Sequence, residues 1–188
     1  VKTLVEMFPN AKFIYLKRNP YTVFESTRSF FTNTIQPLRL QDITNQQIED
    51  NLIEVYRKLF YKFEEEKHLI PSNNLIEVKF EDFESNAYDM TQEIYRHLSL
   101  PGFEESKTDI EKYLSKKKGY KKNQYKYDER TIKIVEKNWG FALDQWGYSL
   151  LFVICKKMDL TKKSLLICAF IGSCISLSSA QKNVPIAY

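Results

Sequence analysis

The chain has 188 residues, 43% of them apolar, with 28 Lys and Arg against 24 Asp and Glu for a net charge of +4. This is enough for one domain with its own core, and the modest positive balance suits an anionic small ligand while falling well short of a charge that argues for nucleic acid. All three cysteines, Cys155, Cys168 and Cys174, come late, so residues 1–154 can hold no disulfide framework and suit a reducing cytoplasm.

In chain order, Lys2 to Met7 reads as a helix leading into Phe13–Leu16, a short apolar run of strand-forming types that ends at the Asn19-Pro20 turn signal. Such a run suits a strand covered on both faces. Pro20 lacks the N–H that a first helical turn leaves unpaired, so Tyr21 to Arg28 is expected to start as a helix there. The strand thus delivers Arg18 to the mouth of a helix. Free N–H groups and the helix dipole favour a phosphate at that point, Arg18 can grip it with two N–H donors, and Ser26 can add a hydroxyl if its face turns inward. The bland reading of Arg18 is a solvated or ion-paired arginine at a strand end.

Thr44 with Gln47 makes a capping box, after which Ile48, Leu52, Val55, Leu59 and Phe63 recur at helical spacing. They predict an amphipathic helix of about 20 residues whose apolar stripe is core. Pro71-Ser72-Asn73-Asn74 punctuates before a strand from Leu75 to Phe80, and Ala87 to His97 forms another helix with Met90, Ile94 and Leu98 on one side. Strand, long helical crossover and strand imply a right-handed βαβ unit and a parallel sheet. Ligands of such sheets bind beyond the carboxyl ends of the strands, where Arg18 and Glu81 belong. Glu81 and Asp82 after a strand read as turn caps or partners of a basic residue, not as an acid–base pair. His68 and His97 have no Cys or second His at ligand spacing, which speaks against zinc.

Lys116, Lys117, Lys118, Lys121 and Lys122, with Tyr120 and Tyr125 interleaved, form the densest basic patch. It reads either as a solvated loop or as a flap over an anionic ligand. An RNA-binding reading through phosphate contact and base stacking has no recognised motif behind it. The tail changes character. Residues 158–180 run from a basic start through a mostly apolar stretch, Leu165–Leu177, to the small residues Ser178-Ser179-Ala180, which is signal-peptide grammar away from an N-terminus. Thirteen residues make about 20 Å of helix, short of a bilayer core of about 30 Å. A membrane anchor, a docked helix and an unrelated segment joined by a gene-model accident are the three readings of 149–188, and the last is favoured.

Phe8-Pro9-Asn10-Ala11-Lys12-Phe13-Ile14-Tyr15-Leu16-Lys17-Arg18-Asn19-Pro20-Tyr21-Thr22-Val23-Phe24-Glu25-Ser26 resembles the 3′-phosphate-binding segment of the sulfotransferase family, in which an arginine, a proline two later and a serine six beyond that recur. All three positions match. Asn74 to Phe83 is similar to the family's apolar strand ending in Tyr-Glu-Asp-Leu, with Phe80 and Phe83 in place of the tyrosine and leucine. Leu98-Ser99-Leu100-Pro101-Gly102-Phe103, then Tyr125 to Trp139 and Trp146-Gly147-Tyr148, are like the end of the family's bacterial branch. The resemblance covers about residues 1 to 148.

The resemblance implies an α/β fold, a P-loop-NTPase-like parallel sheet flanked by helices and N-terminally truncated, in residues 1–148, followed by the hydrophobic tail. It implies 3′-phosphoadenosine 5′-phosphosulfate as co-substrate, no metal, and transfer of a sulfuryl group to an acceptor hydroxyl or amine, with Arg18 and Ser26 on the 3′-phosphate. Family members close over that phosphate with a basic Arg-Lys-Gly loop, and Lys117-Lys118-Gly119 is a loose match. The family's Gly-rich 5′-phosphosulfate loop has no counterpart among the five glycines, so that loop and the catalytic base are expected in sequence outside this chain. The competing class is a non-catalytic nucleotide-binding or interaction module, tethered to a membrane through 165–177.

Overall fold

A computed structural model of the protein describes residues 1–38, 40–117 and 125–148. The two apolar runs become parallel strands, β1 (Phe13–Lys17) and β2 (Leu75–Lys79), in register from Phe13 opposite Leu75 to Lys17 opposite Lys79. Among the described residues seven α-helices accompany them: α1 (Lys2–Met7), α2 (Pro20–Ser29), α3 (Asn45–Glu66), α4 (Phe80–Ser85), α5 (Ala87–His97), α6 (Phe103–Lys117) and α7 (Glu129–Trp146). A π-helical turn, Phe30–Thr34, prolongs α2. The result is a mostly helical α/β architecture on a small two-stranded parallel sheet, and every one of these elements lies within the unit Val1–Gly147.

Alternation along the strands assigns each helix layer to a face, because successive side chains of a strand point to opposite sides and partners in register share a side. On the face of Tyr15 and Glu77, the Tyr15 ring stacks on Phe63 of α3 at 3.6 Å and meets Trp146 of α7 edge-on. On the other face, Val78 packs with Ile94 of α5 and with Leu98, which caps that helix, joined by Ile76, Phe83 and Met90. That second layer covers β2 and stops there. Ile14 and Leu16, which share its face, are both 52% exposed, so β1 is covered on one side and half open on the other, unlike the fully covered strand expected from its composition.

The principal core lies among α2, α3 and α7. Trp139 of α7 is buried, stacks on Tyr56 of α3 at 3.8 Å and meets Phe24 of α2 edge-on. Its indole N–H donates to the Ile53 carbonyl at 3.3 Å. The capping box of α3 is present as read, with Thr44 and Gln47 each bonding the other's backbone. The predicted stripe needs correction: Ile48 and Phe63 are buried, but Val55 and Leu59 are exposed, and Phe60 takes the central place. Its ring lies 5.3 Å from Trp146 and 4.6 Å from Phe141. The aromatic side of α3 has partners of matching size on α7, whereas the aliphatic pair Val55 and Leu59, one turn apart on another side, has none of that kind among the described residues.

Gly147 ends α7 at φ +68°, a left-handed position that an L side chain rarely adopts. Among the described residues no helix is long and apolar enough to cross a membrane. The tail readings, on 149–188 with its 158–180 and 165–177 segments, lie outside the described residues, as do Lys118 and Gly119.

Candidate functional site

Beyond the carboxyl ends of β1 and β2 the chain turns twice into a helix, at Arg18-Asn19-Pro20 and at Phe80. The two turns are tied together. The backbone N–H of Asn19 donates to Glu81 Oε1 at 3.1 Å, and the Arg18 guanidinium lies over the Phe80 ring, 4.3 Å from its centroid. A cation over an aromatic face is attracted by the ring quadrupole, which anchors Arg18 at the mouth of α2. Among the described residues Arg18 makes no ion pair, whereas the nearby Lys17 is bound to Glu77 at 2.5 Å.

Helix α2 begins with Pro20 as expected, but its first amides are engaged. Asn19 Oδ1 accepts from the N–H of Tyr21 at 2.9 Å and of Thr22 at 3.5 Å, and the Val23 N–H reaches the Asn19 carbonyl at 3.0 Å. The free N–H groups inferred from the sequence are therefore closed by a side-chain cap. An anion at this place would be held by the Arg18 guanidinium and by hydroxyls, with the helix dipole as background. The Asn19-Pro20 pair signalled this, since asparagine before a helix-starting proline is a capping residue as well as a turn former.

Ser26 lies two turns into α2 and one turn beyond Thr22, on the same stripe of the helix. It is partly buried, and its hydroxyl has no hydrogen bond among the described residues. The Thr22 hydroxyl is paired with the Tyr127 hydroxyl at 2.6 Å, which brings the segment before α7 against the start of α2. Tyr21, beside it, is buried against Tyr127, and its hydroxyl donates to Glu136. Burial and the Glu136 carboxylate push the Tyr21 phenol up to about 12, so it stays protonated as a donor.

Lys117 stands in the last turn of α6, beside Lys116, and its ammonium lies 5.6 Å from the Tyr113 ring centroid of the same helix. Lysines in a final turn face the negative end of the helix dipole, so Lys116 and Lys117 belong to a helix end and not to the loop read from the sequence. His97 is also accounted for locally: its Nε2 is bonded to the Leu75 carbonyl at 2.9 Å. Glu81, read as a turn-capping carboxylate, does bind a turn, though the turn is that of β1 into α2. Among the described residues no cluster of His, Cys, Asp or Glu could hold a metal ion.

A family model described as the sulfotransferase family matches residues 1–105, more than half of the chain. The chain belongs to the sulfotransferase family. The matched span includes β1, α2 and β2, and so the whole of the Arg18 turn and the Phe80 turn. Omega-hydroxy-beta-dihydromenaquinone-9 sulfotransferases of Mycobacterium bovis and Mycobacterium tuberculosis are each 31% identical over 148 residues, which is 79% of this sulfotransferase-family chain and 38% of the relative. The chain therefore spans well under half the length of these relatives. No solved structure matches it.

Proposed function

We propose that residues 1–148 form the 3′-phosphate side of a donor site for 3′-phosphoadenosine 5′-phosphosulfate, in a protein that transfers the sulfuryl group to an acceptor hydroxyl. The observation that carries this reading is the placement of Arg18, at the carboxyl end of a parallel strand, before a capped helix start and over the Phe80 ring. Arg18 supplies two N–H donors to the phosphate and Ser26 a hydroxyl; Lys117, with Lys118 and Gly119, is the candidate closing segment. Strands β1 and β2 are read as part of a larger P-loop-like parallel sheet. The 5′-phosphosulfate loop and the base are assigned to the portion of such a protein that the 188 residues do not cover.

In the reaction the acceptor oxygen attacks sulfur, the bond from sulfur to the 5′-phosphate oxygen breaks, and the acceptor proton passes to the base. Charge spreads over the equatorial oxygens, much as in phosphoryl transfer, so fixed donors and alignment supply most of the rate. No metal is required in this scheme. The relatives' named acceptor, an omega-hydroxylated dihydromenaquinone, favours a hydroxyl on a lipophilic molecule as the acceptor class.

Titration calorimetry with adenosine 3′,5′-bisphosphate, the desulfated donor, tests the assignment. Arg18→Ala is expected to abolish measurable binding and Ser26→Ala to weaken it, while Lys118→Ala leaves most of the affinity. Equal losses in Arg18→Ala and Lys118→Ala would point to diffuse electrostatic attraction and end the case for a specific grip.

A further inference from the structure

Below the α2 start, α2, α3 and α7 meet through charge as well as through their aromatic core. Glu49 of α3 is 5% exposed, and its carboxylate is clamped by two arginines: Arg130 of α7 donates to both oxygens, at 2.9 and 2.6 Å, and Arg28 of α2 reaches it at 3.2 Å. Arg28 also holds Glu25 of α2 at 2.7 Å, and the fully buried Thr131 hydroxyl of α7 donates to Glu25 at 2.5 Å. Two carboxylates and two guanidiniums thus form a neutral seam. One more bond continues it, because Tyr127, immediately before the α7 cap Asp128, meets the Thr22 hydroxyl in the first turn of α2.

An ionic seam with buried carboxylates is seldom the most stable solution, since desolvating Glu25 and Glu49 offsets much of their attraction to the two arginines and apolar side chains of similar volume often do better. What it provides is register. The bidentate Arg130 guanidinium fixes distance and angle between α7 and α3 together, and the Thr131–Glu25 bond ties the same turn of α7 to α2. On α2 itself the seam residues Glu25 and Arg28 lie beside and within one turn of Ser26.

We propose that Glu49 is a positioning residue that couples the start of α7 to the helix carrying the anion site, so that occupancy of that site is transmitted to residues 127–132. This rests on the donor-site reading above, and goes beyond it by assigning a role to α3 and α7, to which that reading gives no contact with the phosphate. Glu49, Arg130 and Thr131 act through Tyr127 and Thr22, and not on the ligand.

The test uses the whole 188-residue chain with adenosine 3′,5′-bisphosphate as probe, following amide hydrogen exchange and calorimetric affinity in parallel. In the wild-type protein the probe is expected to slow exchange both in the first turns of α2 and at 127–132. In Glu49→Gln the protection at α2 persists, the protection at 127–132 is lost, and affinity falls on the order of three- to thirtyfold, the range over which coupling residues act. Should the buried substitution prevent folding, Arg130→Met removes only the α7 half of the clamp from a side chain that is 52% exposed, and Arg130→Lys should recover part of the loss. A merely structural role predicts a lower denaturation midpoint with probe-induced protection at 127–132 unchanged, and that result overturns the proposal. Absence of probe binding by the wild-type chain overturns the donor-site reading and the proposal together, whereas binding with no protection at 127–132 overturns the proposal alone.

Discussion

The Arg18 guanidinium rests on the Phe80 ring at 4.3 Å, joining the residues that follow β1 and β2. The ring attracts the cation through its quadrupole and so fixes where the guanidinium is presented. Phe80→Leu keeps the bulk of the side chain and removes the π face. We predict a weaker hold on adenosine 3′,5′-bisphosphate, by about two- to fivefold for a cation–aromatic contact of about 0.5–1 kcal/mol, with Phe80→Tyr close to wild type. Unchanged affinity in Phe80→Leu would show that the contact has no part in presenting Arg18.

Asn19 separates helix capping from anion binding. Asp caps as well as Asn, and a carboxylate at a helix start is favoured by the dipole, which offsets its nearness to Glu81. Asn19→Asp should therefore leave the urea midpoint nearly unchanged, within about 0.5 kcal/mol. It places a full negative charge beside Arg18, and affinity for the bisphosphate should drop about tenfold or more, most strongly at low salt. A variant that binds as tightly as wild type would place the phosphate elsewhere.

Packing between α3 and α7 gives a contrast between a buried residue of α7 and an exposed one of α3. Trp139→Ala empties the space between Phe24 and Tyr56 and is expected to cost about 3–5 kcal/mol, read from denaturant unfolding. Leu59→Ala, on the exposed side of α3, should change stability by about 0.5 kcal/mol or less. A large loss for Leu59 would mean that the periodic stripe read from the sequence, and not the aromatic side, faces the core.

That stripe shows where sequence reading of this chain succeeds and where it stops. Thr44 and Gln47 announced the start of α3, Pro20 that of α2, and Phe13 and Leu75 both strands, because caps, prolines and short β-branched or aromatic runs act within a few residues. The parallel pairing followed from the long helical crossover between them. Which side of α3 is buried depends on Trp139 and Trp146, some 80 residues further on, and no local period reports them. At the site, Arg18 was legible as a residue at a strand end. Its Phe80 platform, the Asn19 cap that closes the helix amides, and the Tyr127–Thr22 contact all join positions distant in sequence or depend on a side-chain conformation, and the glutamate–arginine seam does so three times over.

The seam also sets a pH dependence. The hydrogen bonds from Arg130, joined by those of Arg28, hold the Glu49 carboxyl below the ordinary carboxylate range against the opposing effect of burial. In the unfolded chain the same group titrates near about 4.3. A folded value depressed below the unfolded one means that ionised Glu49 stabilises the fold at neutral pH, and that this contribution fades as pH falls from the unfolded value through the folded one. Urea midpoints of the wild-type protein should accordingly decline more steeply below about pH 5 than those of Glu49→Gln, which has no proton to take up at that position. The variant is the less stable of the two at pH 7, and the gap narrows on acidification. Parallel curves for the two proteins from pH 7 to about pH 3 would mean that the carboxylate is equally stabilised in the unfolded chain, and that the clamp on α3 contributes no net stability.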